Sequence, residues 1–337
     1  MIQINEKNIT QKESITVGLF YQKIQDRFKL KPVSRKTGFD RLIKERNLHR
    51  PGMALCGYLE LFSYNRVQVF GNTEIRYLSG LTSEQRRESV EKIFQYDIPC
   101  VIITNSNKPP LEMKELALQY KIPLFCTPYT TTKLIYLIGD FLDDQFSPRL
   151  SLHGSFIDVY GVGMLFIGKS GIGKSEVALD LVERGHRLVA DDVVIFTKKG
   201  EGILMGAGTE LVRHFMEVRG IGIIDVRSMF GVRAIRFQKR LEVVIELEVW
   251  DDKETYTRTG LDDSDINLLD VDIPYVKLPI LPGKNITVIS EVIALHYLLK
   301  HYGYDAAKVM NKRLTQKIKE KSDGVDRVID YFEHDFE

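Results

Sequence analysis

From residue 16 onward the chain alternates two kinds of apolar pattern. TVGLFYQKIQDRFKL (16–30) repeats apolar residues at three- and four-residue spacing and predicts a helix. RVQVFG (66–71) predicts a strand; EIRYLSGL (74–81) and SEQRRESVEKIFQYD (83–97) predict helices. PCVIITNS (99–106) reads as a buried strand ending in polar residues, and KPPLEMKELALQYKI (108–122) as a helix opened by prolines. PLFCTPY (123–129) is a further strand, and TTTKLIYLIGDFLDD (130–144) a helix whose leading threonines can cap it. Strand following helix in this rhythm predicts parallel pairing, hence a small α/β domain over residues 1–145.

DDQFSPRLSLHGS (143–155) breaks the rhythm and predicts a linker. Beyond it, over 146–337, SFIDVY (155–160) and MLFIG (164–168) predict two strands joined by a Gly161–Val162–Gly163 turn. A glycine-rich turn and the helix KSEVALDLVERG (174–185) follow, then the strand run HRLVADDVVIFT (186–197). ILMGAG (203–208) and LEVVIELEVW (241–250) read as a strand pair with the glycine-rich EVRGIGIIDV (217–226) between them. SEVIALHYLLKHYG (290–303) and DAAKVMNKRLTQKIKEKS (305–322) carry apolar residues at helical spacing and predict packing helices suited to a subunit contact.

Composition adds boundaries. The 337 residues exceed what one compact core usually holds, so two domains are expected. With 47 basic and 46 acidic residues, the overall charge favours neither nucleic acid nor an anionic membrane as a partner. Cys56, Cys100 and Cys126 are far apart and show no metal-binding spacing, as expected of buried thiols in a reducing compartment. No stretch approaches the ~20 apolar residues of a membrane span. A cytoplasmic location is expected.

The chemistry concentrates in GKSGIGKS, Gly168–Lys169–Ser170–Gly171–Ile172–Gly173–Lys174–Ser175, which fits G-x-x-x-x-G-K-[ST] at every fixed position. A predicted strand precedes it and an amphipathic helix follows, the context such a loop requires. Glycines let successive backbone N–H groups turn toward phosphate oxygens, and the helix N-terminus adds partial positive charge. Lys174 supplies a point charge for the outer phosphates, and Ser175 offers a hydroxyl to Mg²⁺. The expected class is therefore a C-terminal P-loop kinase domain of mixed sheet and helices that binds a nucleoside triphosphate. No N-K-x-D follows the loop, as a GTPase needs, and no LSGGQ-like signature is present.

LVADDVV (188–194) ends an apolar run with Asp191 and Asp192. Read from residues alone, the pair is a metal site, a proton acceptor or a solvated turn. On a strand the two carboxylates would face opposite sides and serve different roles. Glu217, His153 and Arg258 carry no distinguishing signal by themselves, and His186, His214, His296 and His301 read as structural.

Five motifs in order, His153–Ser175, ADD (190–192), MEVRGIGIIDV (216–226), RTG (258–260) and LPILPGKN (278–285), resemble the bifunctional HPr kinase/phosphorylase family. RPGMALCGYLELFSYNRVQVFGNTEIRYLSGL (50–81) is similar to that family's N-terminal signature. The resemblance implies ATP-dependent phosphorylation of a serine on the phosphocarrier protein HPr. It also implies phosphorolysis of phosphoserine-HPr by inorganic phosphate, releasing pyrophosphate, and a homohexamer regulating carbon metabolism. It implies Asp191 as the acid/base for both reactions and Ser175 with Glu217 as Mg²⁺ ligands. His153, Lys174 and Arg258 are implied as further active-site groups, with His153 bonded to the catalytic aspartate or a phosphate oxygen. Arg219, Gly220, Gly222 and Asp225 are implied in both activities, and Pro279, Ile280, Leu281, Pro282, Gly283 and Lys284 in a dephosphorylation loop. The chain departs from the family's usual pattern at Lys169, often acidic, and at Leu281, often basic. Two other readings of the residues are a small-molecule or phosphoenolpyruvate carboxykinase-like P-loop enzyme and a nucleotide-switched interaction module. The module would need Lys174 and Ser175 but not Asp191 or Arg258.

Overall fold

The computed structural model describes residues 8–33, 37–250, 264–281 and 283–322. The chain forms two compact units that divide between Arg149 and Leu150. The stretch expected to be a linker is instead regular structure. A helix runs on to Phe146, Ser147 ends it, and a strand occupies Arg149–His153. The polar DDQ that suggested a break is the solvent-facing end of that helix, whose buried residues Leu134, Ile138, Leu142 and Phe146 continue at four-residue spacing.

The first unit contains α1 (Val17–Ile24), β1 (Lys31–Pro32), β2 (Leu48–His49), β3 (Val67–Phe70), α2 (Asn72–Ser79), α3 (Ser83–Phe94), β4 (Val101–Ile103), α4 (Leu111–Gln119), β5 (Leu124–Cys126) and α5 (Thr131–Phe146). Its sheet has the order β1-β5-β4-β3-β2, parallel except at the β1 edge. Both faces are covered, so the central strands are apolar except at buried Gln68 of β3, whose amide donates to the Ser63 and Arg66 carbonyls. Phe70, Val101, Ile103 and Leu124 meet α2, α3 and α4, whereas Val67, Val69, Ile102 and Phe125 meet α1 and α5. The helix expected over 16–30 stops at Ile24, because the chain turns at Asp26–Lys29, where Lys29 is left-handed (φ 50°).

The second unit contains β6 (Arg149–His153), β7 (Ser155–Val159), β8 (Val162–Gly168), α6 (Lys174–Glu183), β9 (Arg187–Ala190), β10 (Val193–Lys199) and β11 (Ile203–Gly208). Then come β12 (Phe215–Val218), β13 (Gly222–Asp225), α7 (Val226–Phe230), β14 (Lys239–Arg240), β15 (Val243–Val249), β16 (Ser264–Leu268), β17 (Val271–Ile280), α8 (Ile286–His301) and α9 (Ala306–Ser322). The main sheet is mixed, in the order β9-β7-β8-β15-β17-β16, with β8, β15 and β17 mutually parallel and β7 antiparallel to both of its neighbours. β6, β10, β11 and β14 belong to a second sheet, and β12–β13 form a separate two-stranded ribbon. One face of the main sheet packs Ile157, Met164, Phe166 and Ile245 against Ala178, Leu181 and Val182 of α6.

Three expectations need correction. The β7–β8 hairpin turns at Tyr160–Gly161, both with positive φ (51° and 87°), while Val162 and Gly163 already pair within β8. A two-residue turn with both positions left-handed matches the twist of its flanking strands. β11 and β15, read as a strand pair, lie in different sheets; β15 instead enters beside β8 in parallel. Asp191 and Asp192 are not within a strand but form the corner between β9 and β10.

Candidate active site

β8 ends at Gly168, and α6 begins at Lys174. The intervening loop has φ of 143°, 80° and 104° at Gly168, Gly171 and Gly173, conformations that side chains rarely adopt. At Gly171 a Cβ would also lie 2.5 Å from the Arg219 guanidinium, so that arginine rests directly on the loop. Lys174 folds back, its Nζ donating to the carbonyls of Gly168 and Lys169 at 3.1 Å each.

Asp191 comes to this loop from a strand that is not the neighbour of the loop's own strand. β9 runs parallel to β8, but β7 lies between them. Asp191 is only 4% exposed. Its Oδ2 accepts from the Ser175 hydroxyl at 2.9 Å and its Oδ1 from the Ser155 hydroxyl at 2.5 Å. Burial pushes the carboxyl above the usual aspartate range, and the two serine hydroxyls partly offset this. Ser155 carries no signal in the sequence that would have marked it for this position.

Asp192 turns the other way. Its backbone is left-handed (φ 65°), and its side chain is 76% exposed, 3.5 Å from His153 Nδ1. The divergent environments expected of the pair are present, produced by a corner rather than by strand alternation. His153 ends β6, and its carboxylate neighbour is Asp192 rather than Asp191.

The ribbon presents alternate residues to opposite sides. Met216, Val218 and Ile224 enter the core, whereas Phe215, Glu217, Ile221 and Ile223 are exposed. Glu217 sits opposite Ile223. Arg219 and Gly220 lie in the turn, and Gly222 (φ 98°) starts the return strand. Asp225 acts locally and caps α7, accepting from the Ser228 N–H at 3.1 Å and the Ser228 hydroxyl at 2.5 Å. Those bonds hold its carboxyl below the usual range.

Register places the other candidate loop at the same sheet edge. Gly168 pairs with Leu247 on β15, and Leu247 with Leu278 on β17, so Pro279 and Ile280 end β17 two strands from the phosphate loop. Leu281 accepts from the Lys284 N–H (3.1 Å) across a turn containing Gly283, and the Lys284 ammonium lies 5.7 Å from the Trp250 ring centre. Arg258 and Pro282 lie outside the described residues.

Asp191, Ser155, Ser175, Lys174, Gly171 and Arg219 are thus brought together. A glycine-rich loop with a lysine, a hydroxyl and a buried acid beside it is an arrangement that suits a phosphotransferase. The sequence matches the profile described as HPr Serine kinase C-terminal domain over residues 144–314 and the one described as HPr Serine kinase N terminus over 19–142. It is 55% identical to the HPr kinase/phosphorylase of Chloroherpeton thalassium over 98% of this chain and 99% of that protein. It is 49% identical to that of Prosthecochloris aestuarii over 95% of each. A solved structure, the Hpr(Ser) kinase/phosphatase from Coxiella burnetii, aligns at 31% identity with a TM-score of 0.43, covering 48% of this chain and 97% of that one. The chain belongs to the HPr kinase/phosphorylase family.

Proposed function

We propose that this protein phosphorylates a serine of HPr with ATP and, at the same site, cleaves phosphoserine-HPr with inorganic phosphate. The observation that carries the mechanism is the buried Asp191 hydrogen-bonded to Ser175 of the phosphate loop. In the forward direction the substrate serine oxygen bonds to the γ-phosphorus, the bond to ADP breaks, and Asp191 takes the serine proton. In the reverse direction a phosphate oxygen bonds to the phosphoserine phosphorus. The bond to the serine oxygen breaks, Asp191 returns the proton, and pyrophosphate leaves. A carboxyl raised by burial suits a group that must both accept and donate. Lys174 exchanges its loop carbonyls for the outer phosphates, and Arg219 supplies a guanidinium above Gly171. Arg258 and His153 are proposed to complete the set, with Gly220, Gly222 and Asp225 shaping the ribbon.

The donor set fits Mg²⁺. Hydroxyl and carboxylate oxygens are the ligands a hard cation prefers, and no cluster of three or more His, Cys, Asp or Glu that would hold a metal alone occurs among the described residues. Ser175 and Glu217 would hold the ion, with phosphate and water completing its shell. When bound, it neutralises charge developing on the transferred phosphoryl group. Residues 279–284 are proposed to serve phosphorolysis.

Assembly into a homohexamer is supported by two helix faces whose apolar side chains are exposed among the described residues. Val288, Val292, Leu295 and Leu299 line an exposed stripe of α8, and Met310, Leu314 and Ile318 one of α9. Such stripes are stabilised by burial against another subunit. Among the described residues no helix is long and apolar enough to cross a membrane. Free Cys56, Cys100 and Cys126 accord with a reducing cytoplasm, although of the three thiols expected to be buried only Cys100 is, Cys126 being half-buried and Cys56 exposed.

The test is to incubate the protein with Mg-ATP and purified HPr and measure phosphoserine by mass, then add phosphate and assay pyrophosphate. Absence of phosphoserine would overturn the kinase reading. Phosphoserine that survives phosphate addition would restrict the enzyme to the forward reaction.

A further inference from the structure

Three consecutive residues, His153, Gly154 and Ser155, grip the Asp191–Asp192 corner. His153 Nδ1 lies 3.5 Å from Asp192 Oδ1, the Gly154 N–H donates to the Asp192 carbonyl at 3.0 Å, and the Ser155 hydroxyl donates to Asp191 Oδ1 at 2.5 Å. Gly154 accepts no larger residue, since a Cβ there would lie 2.4 Å from the Phe166 carbonyl oxygen. Ser155 is itself 1% exposed and pairs across the hairpin with Phe166, two residues before Gly168. The serine therefore stands on the strand between the one that delivers Asp191 and the one that delivers the phosphate loop.

The two serines on Asp191 have different prospects. Ser175 belongs to the loop, and its hydroxyl is the group a nucleotide-bound cation would recruit, which releases Asp191 Oδ2. Ser155 is buried away from that exchange and is the remaining hydroxyl on the carboxylate. With one oxygen held by Ser155, the other points toward the loop and toward the oxygen of an incoming serine.

We infer that Ser155 is a positioning residue for both reactions, fixing the Asp191 carboxylate by Oδ1 so that Oδ2 exchanges the proton with the substrate serine. This rests on Asp191 being the acid/base. A carboxylate left to rotate is misplaced by a fraction of an ångström to an ångström, and misplacement of that size costs up to about 100-fold in rate. The loss falls on the chemical step and not on nucleotide binding, because the Ser155 hydroxyl bonds Asp191 and its strand position faces Phe166, ahead of the loop.

The experiment uses the full chain with Ser155→Ala, Ser155→Thr and Asp191→Asn. ATP-binding stoichiometry is measured by calorimetry to count intact sites, and kcat and KM for HPr phosphorylation and for phosphorolysis are expressed per intact site. Ser155→Ala is expected to bind ATP with unchanged stoichiometry, to keep both KM values within about two-fold, and to lose about 10- to 100-fold in kcat in both directions. Ser155→Thr, which keeps the hydroxyl, is expected to recover most of that rate. Should Ser155→Thr bind ATP at fewer sites, Ser155→Cys, with its weaker donor, is expected to fall between serine and alanine. The inference is overturned by parental kcat per site in Ser155→Ala in either direction, or by a change confined to KM. Asp191→Asn separates the two ideas. If it remains active, the acid/base assignment fails; if it is inactive while Ser155→Ala is parental, only the role of Ser155 fails.

Discussion

Each unit of the chain gathers polar side chains at the carboxyl ends of its parallel strands, and the two gatherings are built to opposite ends. In the first unit, Thr104 after β4 bonds the Thr131 hydroxyl at 2.6 Å, Asn105 donates to both, and Asn107 donates to Asn72 at 2.8 Å. Nearby, buried Glu74 takes two bonds from Arg50 and one from the Gly71 N–H. These groups satisfy one another across the ends of three strands. In the second unit the corresponding groups are satisfied provisionally. Lys174 bonds carbonyls of its own loop, and Ser175 bonds Asp191, each a bond that phosphate or a cation can replace. Mutual saturation makes a joint, whereas replaceable partners make a site.

That contrast can be broken from either side. The largest effect is expected at Asp191: Asp191→Asn should lower both reactions at least about 10³-fold, within the usual range for losing a general acid/base. It should melt no lower than the parent, because the ionised carboxyl is disfavoured by burial. A melting temperature several degrees lower would make Asp191 a structural joint after all. Glu74→Ala in the first unit should do the reverse. It removes a buried acid and a helix-start partner, costing about 2–3 kcal/mol in urea unfolding, with unchanged kcat per folded molecule. Gly171→Ala should weaken ATP binding about ten-fold through the positive φ and the displaced Arg219, about 1.4 kcal/mol by the standard conversion, with little change in stability. Thr104→Val should cost about 1 kcal/mol of stability for one buried hydroxyl network and leave catalysis alone.

The smallest effect concerns a saturated cluster in the second unit. Glu291 accepts two bonds from Arg184 and lies 2.9 Å from His186 Nε2, tying α6 to α8. Chiefly through Arg184, its pKa is held at about 2, below the ~4.3 of a free glutamate. A depressed acid contributes stability that is complete above the free value and is lost as pH falls toward the folded one. Urea midpoints measured from pH 5 to pH 2 should therefore fall less steeply in Glu291→Gln than in the parent. Identical slopes would show the cluster to be without weight.

Legibility follows locality. The phosphate loop, its strand and its helix lie within one short stretch, so residue types alone announce them. Asp191 is visible as an acid ending an apolar run. Ser155 is not, since a serine opening a strand has no periodic or compositional mark, and its role depends on β7 lying between β8 and β9. That intervening strand is hidden because alternation within a segment does not report which segment is its neighbour. β1 and β2, two residues each, are too short to carry a period. β17 contains Pro274 and Pro279, residues that argue against a strand unless the fold is known. The first unit's central strands are legible because both faces are buried and no polar residue interrupts Val101–Ile103.

The tight Tyr160–Gly161 turn has a consequence for the order in which the molecule forms. It brings Ser155 within reach of Phe166 through only a few residues of chain, and Asp191 joins from the end of the next helix and strand. The segment 153–192 therefore contains the loop, the acid and the clamp at short sequence separation, and contacts of that kind close early in folding. In pulse-labelled hydrogen exchange, amides of β7 and α6 are expected to gain protection before those of β15, whose partner β8 lies far back in the chain, with Met164 opposite Val243.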